Sequence, residues 1–156
     1  PELTIRPSSA RLFARRSGWA DRMPVPIALE RLTSSLTHPL QALGLERDAT
    51  EPTAVLLQVH PLRIQRVQLD ARPDFITATA WGFLLTQQDG SFLALDDDGR
   101  HLGRGTLEVE GGPIAVAVLS EYRVAIAHNT AAGGTVSTVD LADWVQAAIA
   151  AIDDRV

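Results

Sequence analysis

From Thr53 onward the apolar and polar positions fall into short runs of β-forming residues separated by turn residues at close intervals. The runs are Thr53–His60, Leu62–Leu69, Phe75–Trp81, Phe83–Gln87, Ser91–Asp96, Gly105–Glu110, Pro113–Leu119, Tyr122–His128 and Thr135–Asp140. Between them stand His60-Pro61, Arg72-Pro73-Asp74, Asp89-Gly90, Asp98-Gly99, Gly111-Gly112, Ser120-Glu121 and Gly133-Gly134. Asp-Gly suits the positive-φ turns of tight hairpins, so two of these links are hairpin marks. Parallel crossovers need about a dozen residues or more, which these links do not have. The pattern therefore predicts a mainly β region, an antiparallel meander, over residues 53–140.

The flanks differ. Residues 1–52 mix short apolar groups with Pro7, Pro24, Pro26 and Pro39, and read as an irregular segment contributing strands or a short helix. Ile27, Leu32 and Leu36 predict that short helix over Ile27–Leu36, ended by Pro39. Glu46–Pro52 is polar and reads as a loop or boundary. At the other end Leu141, Trp144, Val145, Ala148, Ile149 and Ile152 fall at helical spacing on one stripe. Asp140 is placed as N-cap, and Asp143 suits the helix dipole. The expectation is an amphipathic helix over residues 141–153, packed on the sheet.

A weak internal repeat runs through the β region. Ile76-Thr77-Ala78-Thr79-Ala80-Trp81, Phe83-Leu84-Leu85-Thr86, Gly90 and Phe92-Leu93-Ala94-Leu95-Asp96 are echoed further on. The echo is Ile114-Ala115-Val116-Ala117-Val118, Arg123-Val124-Ala125-Ile126-Ala127, Gly134 and Val136-Ser137-Thr138-Val139-Asp140. The offsets are 38 (Ile76 to Ile114), 41 (Phe83 to Val124) and 44 (Phe92 to Val136). A period near 40 residues with four strands is about the size of a propeller blade. On these residues the chain, from Thr53 to Leu141, resembles the β-propeller repeat superfamily in its broad WD40-like and quinoprotein-like sense, at the level of pattern. No Gly-His or Trp-Asp signature dipeptide and no quinoprotein tryptophan motif is present.

The resemblance implies about two blades and a fraction. Such a piece leaves raw sheet edges, and a ring needs about four blades or more. It therefore implies completion by self-association or by a larger chain. The competing fold is a self-contained α+β domain, one antiparallel sheet of five or six strands flanked by helices, as in small sensor domains.

Composition narrows the chemistry. The 156 residues are 46% hydrophobic and 21% charged, with no cysteine and a net charge of −5. All 14 basic residues are arginine, so thiolate sites, cysteine nucleophiles and lysine catalysis are excluded. Residues 1–31 carry six arginines against Glu2, Asp21 and Glu30, whereas the acid-rich end holds Asp140, Asp143, Asp153 and Asp154. An overall acidic pI of 5.3, without interleaved aromatic and basic residues, argues against a nucleic-acid partner. No apolar run is long enough for a transmembrane helix. The expected location is cytoplasmic.

Candidate chemistry is sparse. Asp96-Asp97-Asp98-Gly99 lacks the alternating ligands and distal Glu of a calcium loop and reads as a hairpin turn. His38, His60, His101 and His128 have no metal-ligand spacing, and no glycine pair opens a helix after a strand as phosphate loops do. Gly-x-Ser-x-Gly is absent. No catalytic residue, metal or cofactor is assigned. Trp19, Trp81 and Trp144 are the large anchors, with Trp144 on the helix stripe and Trp81 at a strand end, where a rim would expose it. Aromatics and Arg are enriched at interface hot spots, so Trp81, Arg63, Arg66 and Arg123 form the expected contact surface. The expected function is a non-catalytic protein-interaction or scaffold module; the alternative is a small ligand-sensing or regulatory domain of a signalling protein.

Overall fold

The structure, a computed structural model, describes residues 22–59 and 61–154. Expectations placed on Trp19, His60 and the arginines before Arg22 lie outside the described residues. The described chain is mainly β: three antiparallel sheets followed by one C-terminal helix. Sheet 1 runs β1 (Leu29–Ser34), β2 (Gln41–Glu46), β3 (Thr53–Gln58) and β4 (Arg63–Gln68), in that spatial order. Sheet 2 repeats the plan with β5 (Phe75–Thr79), β6 (Gly82–Thr86), β7 (Ser91–Asp96) and β8 (His101–Thr106). Sheet 3 has three strands, β9 (Pro113–Val118), β10 (Arg123–Thr130) and β11 (Gly133–Asp140). Helix α1 (Ala142–Asp153) follows β11 directly.

Three expectations are corrected. The helix over Ile27–Leu36 is instead strand β1, with a register shift between Glu30 and Leu32. Arg31 sits at φ 56° in that bulge, and the bulge breaks the alternation that would have marked a strand. The strand expected at Gly105–Glu110 lies earlier, at His101–Thr106, immediately after the Asp98-Gly99 turn. The single five- or six-stranded sheet of the α+β alternative is replaced by three separate sheets with one described helix.

The sequence repeat coincides with the architecture: the two passes are β5–β6–β7 and β9–β10–β11. The first strands of the sheets lie side by side, β1 against β5 and β5 against β9, so the sheets fan outward from a shared inner edge. Arg31 donates to the Asp74 carbonyl and Arg72 pairs with Glu30, tying β1 to the link between β4 and β5.

Two apolar clusters glue the stack. Leu43, Leu45, Ala54, Leu56 and Val67 of sheet 1 meet Phe83, Leu85 and Leu95 of sheet 2. On the other face of sheet 2, Leu84, Phe92, Ala94 and Leu102 meet Val124 and Ile126 of sheet 3 and Leu141 and Val145 at α1. Neighbouring residues on a strand point to opposite faces, so Phe83 and Leu84 serve different clusters, and both are 0% exposed. Burying each such side chain contributes about 1.5–3 kcal/mol. A strand covered on both faces reads as an unbroken apolar run, as Gly82-Phe83-Leu84-Leu85 does. Trp144 of α1 meets Phe92 edge-on at 5.1 Å and lies over Gly103, where a Cβ would come within 3.1 Å of its ring. Asp140 is not the N-cap itself; its Oδ1 accepts the Ala142 amide at 2.9 Å beside the N-cap Leu141.

Candidate functional site

Hairpin turns at one end of the stack assemble the most chemically varied cleft. It measures about 330 Å³ and lies where the β5–β6 and β7–β8 turns meet the β9–β10 turn and α1. Trp81, Leu102, Tyr122, Ile149 and Ile152 give it apolar walls, and Asp96, Asp97, Glu121 and Asp153 surround a single Arg100. Trp81 is 8% exposed and belongs to the core between sheets 2 and 3, which corrects its expected exposure at a rim. The cause is local. Gly82 takes φ 149°, and a Cβ there would lie 2.1 Å from the Leu95 carbonyl oxygen, so the turn folds flat against β7. The Trp81 amide closes that turn by donating to Thr79 Oγ1 at 3.3 Å.

Asp96 organises the acidic side. Its Oδ1 accepts the amides of Asp98 (3.0 Å) and Arg100 (2.8 Å), and Oδ2 accepts Arg100 Nε at 2.7 Å. The hydrogen bond to Asp96, then its charge, holds the Arg100 guanidinium above its ordinary value, with Asp98 and Asp153 adding to the effect. With Arg100 neutralised by Asp96, the remaining carboxylates give the cleft a negative field suited to a cationic group with an apolar stem. Acidic groups beside apolar walls are an arrangement that can bind such a group.

The same acidic turn docks onto sheet 1. Asp97 Oδ2 accepts Thr37 Oγ1 at 3.1 Å and lies 3.2 Å from His38 Nε2, and its carbonyl accepts Gln41 Nε2 at 2.8 Å. Gln65 Nε2 donates to the Asp98 carbonyl at 3.2 Å. Gly99 sits on Val67 and Leu56 at φ 83°, a position that suits glycine alone. Ligand atoms of His38, Asp97 and Asp98 fall within 4.8 Å of one another, close enough for a cation, although Asp97 is already engaged by Thr37 and His38. His38 thus gains an acidic partner across the sheets that its sequence surroundings do not show.

The remaining expected contact residues are dispersed. Arg66 is bound by both carboxylate oxygens of Glu46 at 3.1 and 3.2 Å, which holds it above its ordinary value through that hydrogen bond and charge. Arg63 is exposed on β4, beside Gln41, Gln58 and Gln65. Arg123 opens β10, 3.6 Å from Asp140. Trp81, Arg63 and Arg66 line three different clefts. The other two described histidines are engaged: His101 Nε2 donates to the Gln68 carbonyl at 3.0 Å. His128, 5% exposed, bridges the Glu110 carbonyl (2.8 Å) and Ser137 Oγ (2.7 Å).

Sequence reasoning missed Tyr122, Glu121 and Arg100. A signal existed: Trp81 and Tyr122 stand 41 positions apart, the same offset that relates Phe83 to Val124, so the repeat places an aromatic at both equivalent turns. No helix among the described residues is long and apolar enough to cross a membrane. Set against known proteins, the chain matches no family model, no curated protein and no solved structure.

Proposed function

We propose that the chain is a non-catalytic protein-interaction module of propeller-like design, whose three sheets are blades of an assembly completed by self-association or by further sheets of a larger protein. One observation carries this reading. Sheet 2 is covered on both faces, whereas the outward face of sheet 3 offers Ala115, Ala117, Ala125, Ala127 and Val136 with no described sheet against it. The fan of adjacent first strands supports it further, because that is how blades surround an axis. Arg63 and Arg66 then lie on the edge strand β4 and Arg123 at the start of β10, where a rigid scaffold presents recognition groups. Mutating Ala117→Glu on the outward face and measuring molar mass and melting temperature tests the idea. Association that A117E abolishes supports face-to-face completion. A wild-type chain that is monomeric and highly heat-stable sinks it.

A second reading, a ligand-sensing or regulatory domain, rests on the acidic cleft beside Trp81. Alkylammonium and guanidinium compounds titrated against the intrinsic fluorescence of the chain address it. Saturable quenching that Asp153→Asn weakens supports the reading, and an unresponsive signal removes it.

A further inference from the structure

Each sheet has an outer edge strand, and the three edges are defended differently. β4 carries Arg63 and Arg66, and its Gln68 carbonyl is already taken by His101 from sheet 2. β8 carries His101 and Arg104, is offset by a register shift opposite Ala94 and Leu95, and has α1 packed on it. Basic residues, bulges and covering helices are the usual devices that stop edge-to-edge pairing. β11 has none of them. Its sequence, Gly-Gly-Thr-Val-Ser-Thr-Val-Asp, holds no basic residue and no proline. All eight residues pair with β10 without a bulge, and among the described residues no backbone hydrogen bond reaches it from outside β10. Val136, at its centre, is 69% exposed, the highest value among the exposed large hydrophobics of the described residues.

We propose that β11 pairs antiparallel with β11 of a second copy of this chain, about a two-fold axis at Ser137, joining two three-stranded sheets into one of six strands. The sequence favours this occupant because β11 is complementary to itself. A two-fold axis through the sheet keeps each face on its own side, so residues opposite each other must share a face. Centring on Ser137 sets Val136 opposite Thr138 of the partner subunit and Thr135 opposite Val139 of the partner subunit. These are β-branched pairs of the kind that stabilise sheets. Asp140 then faces Gly134 of the partner subunit, so no two carboxylates meet. Centring on Val136 instead leaves Thr138 and Val139 opposite glycines. This pairing uses an edge rather than a face, and so stands apart from the blade-completion reading.

Sedimentation equilibrium of the full chain, with far-UV circular dichroism to verify folding, tests it. The wild type is expected to form a dimer whose Kd rises about tenfold or more in Val136→Lys and in Thr138→Glu, each an edge charge. Combining the two sets Lys opposite Glu at both symmetric contacts and restores the wild-type Kd. Ala117→Glu, two strands away on β9, leaves it unchanged. A chain that stays monomeric at every concentration overturns the proposal, as does a double variant no tighter than either single one. A Kd that A117E raises as strongly as V136K also overturns it, and would assign the association to the face.

Discussion

Sheets 2 and 3 are two passes of one repeat, yet they differ in how many faces are covered. In sheet 2, β6 is buried along its whole length, and large side chains alternate between two clusters. In sheet 3, β10 sends Val124, Ile126 and His128 inward, while the outward positions between them hold only Ala125 and Ala127. The backbone plan is shared, so the difference lies in side-chain size. Bulky residues on both sides mark a sheet inside the stack, and small ones on one side mark its end. Periodicity therefore identifies strands, and the residue volume on each parity tells how many neighbours a sheet has.

The sharpest way to break this contrast is truncation. Phe83→Ala is expected to cost about 3–5 kcal/mol in urea unfolding, because it empties a fully buried site in sheet 2. Val136→Ala in sheet 3 should stay within about 0.5 kcal/mol under conditions where the chain is monomeric. Equal losses would mean that sheet 3 has a second covered face.

Glycines sharpen the same point at smaller scale. Gly82→Ala meets backbone 2.1 Å away at a strained φ and is expected to lose about 2–3 kcal/mol. Gly133 has φ 117° but nothing within 4 Å of its missing Cβ, so Gly133→Ala should lose about 1 kcal/mol, read from the same denaturation curves. A reversed order would show that crowding is not what distinguishes the two turns.

Much of this was legible in the chain. The hairpins of sheets 2 and 3 followed from Asp89-Gly90, Asp98-Gly99 and the alternating runs, and α1 from its apolar stripe. β8 was misplaced because His101-Leu102-Gly103-Arg104-Gly105-Thr106 holds two glycines and, in Thr106, a single β-branched residue. Its glycines are there because Trp144 and Phe92 lie over them, and a Cβ at Gly105 would meet the Phe92 ring at 2.6 Å. No local pattern announces an aromatic arriving from another element. β1 was hidden by its bulge, and the pairing of His38 with Asp97 by the 59 positions that separate them. The cleft was half visible, since Trp81 was singled out while the acids around it read as turn residues.

Two weaker effects concern the turns. Asp97→Ala removes the acceptor for Thr37 and His38 and should cost about 1 kcal/mol, with hydrogen exchange rising in the β1–β2 loop but not in sheet 3. Faster exchange in sheet 3 as well would show the sheets to unfold as one unit. The Ser91 side-chain and backbone hydrogen bonds hold the Asp89 carboxyl below its ordinary value. A lowered folded-state value stabilises above the ordinary carboxylate range and is lost as pH falls through the folded value. The melting temperature of the wild type should therefore drop slightly more between neutral and acid pH than that of Ser91→Ala. An identical pH dependence in the two would show that Ser91 does not shift Asp89.

The seat of the acidic turn on sheet 1 also has a consequence for synthesis. The strands of sheet 1 are all available once Gln68 has left the ribosome, but the residues that close over its Gln41, Gln65 and Thr37 come from Asp97 to Gly99. The nascent chain must hold its first sheet with that slot open while another thirty or so residues emerge. For a chain that folds as it emerges, completion of the first unit then waits on the second, and the steps overlap rather than run sheet by sheet.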